Sequence, residues 1–147
     1  MRTATDSSTV ARVRSEELVV GAVVTLLRKE GYRVRREVPC MGSSIDIVAT
    51  RGRWLTCVEV KVSAWQRALK QCFAHRLVAD FLVIAVASPK ITSRLIAIAA
   101  EHGIGVIHID WVTTQASWAL HPRAGEGVWL PQRRQLAAAV REIQYVD

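Results

Sequence analysis

Asp46, Glu59 and Lys61 are the residues whose types and spacing bear most directly on chemistry. They lie in the stretch from Ser44 to Ser63, where two β-type runs flank a short loop containing Gly52, a hairpin signal. Alternation puts Ile45, Ile47 and Ala49 on one face of the first run and Asp46 and Val48 on the other. In the second run Trp54, Thr56, Val58, Val60 and Val62 share a face, and Leu55, Cys57, Glu59 and Lys61 share the opposite one. Glu59 and Lys61 are two residues apart, so their side chains emerge side by side, with ~7 Å between Cα atoms. If Asp46 lies across the hairpin on that face, two carboxylates and an ammonium converge.

Such a convergence is costly on a face that also carries Val48, Leu55 and Cys57, because the charges are partly desolvated. A divalent cation would balance the carboxylates. Mg²⁺ is usually held by one or two carboxylates together with waters and substrate phosphate. Lys61 could then orient or activate an attacking water. The plainer alternative is a solvated hairpin with a Glu–Lys pair on its wet face, against which stands the apolar setting of Val58-Glu59-Val60-Lys61-Val62.

The pattern resembles the PD-(D/E)XK nuclease superfamily, whose metal motif is an acidic residue on one strand and (D/E)-X-K on the next. Here the match is Ile45-Asp46, twelve residues, then Glu59-Val60-Lys61, with Ile45 where the motif has Pro. The run Val58 to Ser63 resembles Holliday-junction resolvases. The stretch from Trp65 to Val86 is similar to uncharacterised bacterial and phage members, and the resemblance spans residues 15 to 110. It implies a restriction-endonuclease-like three-layer core and a Mg²⁺- or Mn²⁺-dependent nuclease leaving a 5′-phosphate. Asp46, Glu59 and the carbonyl of Val60 would hold the cation, and Lys61 would place the water. Members often carry an acid on the first helix, for which Glu16 is the candidate and Glu17 the runner-up. Gln71 and His75, one turn apart, resemble a Gln-x-x-x-Tyr feature with His75 in place of Tyr. In that role Gln71 would shape the pocket. Both could equally be ordinary boundary residues, and Glu16 a first-turn acid complementing the helix dipole. Related nucleases often act as homodimers.

The elements that must position these residues follow from periodicity and punctuation. Residues 1–14 read as a flexible tail. Ser15 can cap a helix to about Glu30, ended by Gly31, with Leu18, Val19, Ala22, Val23, Leu26 and Leu27 on its apolar face. Tyr32 to Val38 reads as a strand stopped by Pro39. A second helix is expected from about Ala64 to Ala79, burying Trp65, Ala68, Leu69, Cys72 and Phe73. Phe81 to Ala87 reads as a buried strand, Ile91 to Glu101 as a helix capped by Gly103, and Gly105 to Asp110 as another buried strand. His108 and Asp110 share a face, but without further ligands a structural role is favoured. Val112 to Leu120 fits an edge strand, and Pro131 to Gln144 a helix with Leu136, Val140 and Ile143 as its apolar stripe. The fold class is α/β, a mixed central sheet with helices on both faces, in which 15–120 form the nuclease-like domain and 121–147 a loop and C-terminal helix.

The 147-residue chain suits one domain, and half its residues are apolar, which excludes a disordered chain. The longest apolar run, Phe81 to Ala87, is far short of a membrane span, and no signal-peptide core opens the chain, so a cytoplasmic location is expected. Three widely spaced cysteines fit reduced thiols rather than a Zn site. The net charge of +7 favours a polyanionic partner, nucleic acid and in particular DNA. Arg33, Arg35, Arg51, Arg53, Arg67 and Lys70 are the candidate phosphate contacts. A second class is kept beside the enzyme: a non-catalytic nucleic-acid-binding or assembly subunit of a defence, repair or transposition complex.

Overall fold

The computed structural model describes residues 3–40, 42–62, 65–76, 78–125 and 134–140, with side chains of the first helix from Glu16 onward. Helix α1 spans Thr3–Lys29. It begins well before Ser15, which lies inside it: residues 3–14 contain neither Gly nor Pro, and nothing there interrupts a helix. Val19, Val23, Val24 and Leu27 are its buried stripe, at the spacing of one helical face. Gly31, at φ 90°, ends it, and Tyr32 N–H returns to the carbonyl of Leu27 at 3.0 Å, the Schellman pattern.

Strands β1 (Arg33–Cys40), β2 (Ser43–Arg51) and β3 (Trp54–Lys61) form an antiparallel meander. Gly52, at φ 59°, is the first central residue of the two-residue loop closed by the Arg51–Trp54 pair, where only Gly takes that angle without strain. Pro39 does not stop β1; it pairs with Ser44 inside the strand. Its missing N–H is tolerated because β1 is the sheet edge and can turn that position away from its single neighbour.

From β3 the chain passes through α2 (Trp65–Ala74) to β4 (Phe81–Ser88), then through α3 (Ser93–Glu101) to β5 (Gly105–Asp110) and finally β6 (Ala116–Leu120). The β3–β4 and β4–β5 pairs are parallel, and β6 returns antiparallel to β5. The six strands lie in the sheet in chain order. Helix α2 ends at Ala74 rather than Ala79, and Phe73 is exposed, its ring edge against His102, while His75 takes the buried place one position past the helix end. Thr92 caps α3, accepting from Leu95 N–H.

Two cores sandwich the sheet. On one face α1 packs its stripe on Ile47, Ala49, Val58, Val83, Ala85, Ala87, Ile107 and Ile109. On the other, Ala68, Leu69 and Cys72 of α2 and Leu95 and Ala99 of α3 meet Val48, Leu55, Cys57, Ile84 and Val106. Leu136 and Val140, in a helical stretch over 134–140, join this second core; Pro131 and Ile143 of the expected C-terminal helix lie outside the described residues. This is a three-layer α/β arrangement consistent with the restriction-endonuclease-like fold. Among the described residues no helix is long and apolar enough to cross a membrane.

Candidate active site

The site begins where β2 and β3 part. Their ladder runs from Arg51–Trp54 to Ile47–Val58 and stops one position short of Asp46 and Glu59. In its place the Asp46 Oδ2 accepts the N–H of Val60 at 2.8 Å, so a side chain takes over a backbone hydrogen bond. The pleat shifts at the same place. Ile45 packs with Val48 in the core under α2, whereas Ile47 and Ala49 face α1. Strict alternation would have kept Ile45 with Ile47, so the expected facing of the first strand holds only from Ile47 onward. On β1, Glu37 stands opposite Asp46 by register, unpaired in the ladder and at φ 51°, a left-handed value uncommon for a residue with a side chain.

Glu59 projects from β3 toward α2 and is 2% exposed. Its Oε1 lies 2.9 Å from Nε2 of His75, itself 4% exposed. With a carboxylate as acceptor, the ring nitrogen is the donor. Burial pushes the Glu59 carboxyl above its ordinary range, and the neighbouring Asp46 carboxylate pushes the same way; the bond from His75 offsets only part of this. The surroundings are apolar: Cys57 and Cys72, both buried and unpaired by disulfide, have thiols driven up by desolvation and held neutral. Asp46 and Glu59 thus meet at the same place, as their spacing suggested.

Lys61 lies two positions beyond Glu59 on the same face, half-buried, and makes no hydrogen bond or ion pair among the described residues. Val60 turns its side chain to the α1 core. The other expected residues are placed less closely. Glu16 is exposed on α1, the helix on the opposite face of the sheet, with no bond to Asp46 or Glu59 among the described residues; Glu17 pairs instead with Arg36 at 3.6 Å. Gln71 is exposed and makes no hydrogen bond among the described residues, so of the Gln71–His75 pair it is the ring that enters the site. Arg51 stacks on Tyr32 and Arg53 on Trp54, at the hairpin turn. That turn is roughly 17 Å along β3 from Glu59, taking ~3.3 Å per residue. Arg67 and Lys70 are exposed on α2, which follows directly from the Lys61 end. Arg33 is exposed on β1, and Arg35 is half-buried, its Nη1 donating to the Val34 carbonyl while its Nε is buried with no hydrogen-bond partner among the described residues. His108 and Asp110 do not form a pair: His108 Nε2 bonds the Ser88 carbonyl, and Asp110 accepts the N–H groups of Val112 and Thr113.

His75 is offered by the sequence only as the ring of the Gln71–His75 pair or as an ordinary boundary residue. Its signal was its position one turn after Gln71 at the edge of the α2 stripe, but contact with a glutamate sixteen residues upstream depends on how α2 crosses β3.

The donor chemistry suits a hard cation. Two carboxylates against one another need a proton or a cation between them, and oxygen donors are what Mg²⁺ or Mn²⁺ takes. Among the described residues no group of three or more His, Cys, Asp or Glu side chains gathers in a form that could hold a metal. A cation here would therefore draw most of its shell from water, backbone and substrate, as is usual for Mg²⁺.

The sequence matches no protein-family model and no curated protein. Its similarities are to solved structures. A protein of unknown function from Silicibacter pomeroyi superposes with a TM-score of 0.65 at 18% identity, over 89% of this chain and 90% of that one. An XisH family protein from Nostoc punctiforme gives 0.51 at 19% identity, and an fdxN element excision controlling factor from Anabaena variabilis 0.51 at 23%, each over 69% of this chain and 98% of the other. At these identities the likeness is one of fold alone.

Proposed function

We propose that the chain is a metal-dependent nuclease that hydrolyses phosphodiester bonds in DNA. One observation carries this reading: two carboxylates from adjacent strands, Asp46 and Glu59, meet in an apolar setting, with Lys61 on the same face two positions on. Asp46, Glu59 and the Val60 carbonyl would hold Mg²⁺ or Mn²⁺, which when bound supplies Lewis acidity and a template for an attacking water. The chain's own residues do the remainder. The Val60 N–H fixes the Asp46 carboxylate, and His75 fixes that of Glu59. Lys61, without a competing partner among the described residues, is available to orient water and to offset charge on the phosphate in the transition state. Arg67 and Lys70 on α2 extend positive charge from that end of the sheet along a bound backbone. Gln71, exposed beside them, would contact substrate rather than the cation.

The near-complete burial of Glu59 and its bond to His75 favour a second reading, a nucleic-acid-binding or assembly module that keeps the fold without turnover. Incubating the pure protein with plasmid, single strands and branched junctions, with Mg²⁺ or Mn²⁺, separates the two. Cleavage that disappears in Asp46→Ala and Lys61→Ala supports the enzyme. Binding without cleavage of any of these substrates, or cleavage indifferent to both substitutions, overturns it.

A further inference from the structure

We infer that His75 is a positioning residue for the cation site: its Nε2–H holds the Glu59 carboxylate beside Asp46, in the orientation that receives a divalent cation. The inference rests on the nuclease reading of the site and deepens it. Glu59 has three rotatable side-chain bonds and faces another carboxylate, and repulsion between like charges favours turning it away. A buried donor at 2.9 Å opposes that rotation. The donor's own mount is fixed on both sides. His75 N–H bonds the Cys72 carbonyl at 3.0 Å, and the His75 carbonyl accepts from Val78 N–H at 3.1 Å and Ala79 N–H at 3.2 Å. Helix α2 is in turn tied to the sheet by Ala68, Leu69 and Cys72, and the Cys72 thiol points at the Val83 carbonyl of β4 at 3.4 Å. The ring is therefore held relative to the sheet that carries Glu59, and Glu59 is held relative to the ring. Partners of this kind, which bond a ligand rather than the ion, typically govern metal affinity by ~10–100-fold.

The test measures Mn²⁺ binding to the full chain by calorimetry, independently of any substrate. His75→Ala should weaken binding by ~10–100-fold. His75→Gln, whose side-chain amide offers an N–H at a similar reach, should stay within several-fold of the original, with an unchanged circular dichroism spectrum. Should His75→Ala fail to fold, the original protein decides: ¹⁵N resonances of the His75 ring should shift on Mg²⁺ addition. Undiminished Mn²⁺ binding in folded His75→Ala overturns the inference while leaving the nuclease reading intact. So does a folded His75→Gln as weak as the Ala variant, or a ring resonance blind to Mg²⁺ in a protein that binds it. Failure of the unaltered protein to bind Mn²⁺ at all overturns the nuclease reading, and the inference with it.

Discussion

Glu59 and Asp80 are both buried acids, and the chain accommodates them in opposite ways. Asp80 sits just before β4, where its Oδ2 accepts the Leu55 N–H at 2.8 Å and its own N–H donates to the Leu55 carbonyl at 2.9 Å. Its carbonyl then receives the N–H of Gly125 at 2.7 Å. That acid clamps the start of β4 to the start of β3 through bonds to main chain. Glu59, near the other end of β3, faces a second carboxylate and a ring, and its burial works against its charge. The Asp80 carboxylate, which closes a main-chain clamp between two strand starts, belongs to the architecture. One set against another carboxylate raises a cost that folding does not require, and such places are where binding and catalysis concentrate.

Substitutions at the Glu59 end should act on chemistry first. Asp46→Ala or Lys61→Ala should lower the rate of DNA cleavage by ~10²-fold or more. Lys61→Ala, which breaks no bond among the described residues, should leave the melting temperature within a few degrees, whereas Asp46→Ala also strands the Val60 N–H and should cost about 1–3 kcal/mol. A variant that melts early but still cuts would put Asp46 with the architecture. At the other end the pattern inverts: Asp80→Ala should cost about 1–3 kcal/mol in urea unfolding, since it strands the Leu55 N–H, and should leave cleavage intact below the transition. Loss of cleavage in folded Asp80→Ala would erase the distinction.

A subtler contrast is in pH. The Glu59 carboxyl is raised above its ordinary 4.5, so its contribution to stability is fully present below that value and is lost as pH rises through the raised one. Metal-free protein should therefore lose stability relative to Glu59→Gln as pH is increased across that window. A gain relative to Glu59→Gln would mean that His75 outweighs both burial and Asp46. The smallest effect expected is on DNA affinity. Replacing Arg67 and Lys70 together by Ala should weaken binding several-fold and flatten its salt dependence by up to ~0.9 for each phosphate left without its cation. Replacing Arg51 and Arg53 at the hairpin turn should do little, and the reverse ranking would route the nucleic acid along the turn.

Much of this was legible before the structure. The hairpin, the two β-α crossovers and the Gly105–Asp110 strand are written in β-branched runs punctuated by Gly and Pro, which local sterics enforce. The meeting of Asp46 with Glu59 followed from hairpin register. What escaped depended on partners distant in the chain. Ile45 changes face next to Asp46, where the side chain bonds the backbone of the next strand, a local departure that alternation cannot anticipate. Pro39 stays in a strand because that strand is an edge, a property of the finished sheet. His75 and Glu59 meet through the core, across sixteen residues of chain, whereas His108 and Asp110 each bond main chain, the structural role that their lack of further ligands favoured.

The chain-order sheet has a consequence for how the protein is made. Each strand docks on the one synthesised just before it, so assembly can proceed from the amino end without a strand waiting for a later neighbour. Glu59 takes its hydrogen bond from a ring sixteen residues later in the chain, so the pocket cannot close before that ring has been made.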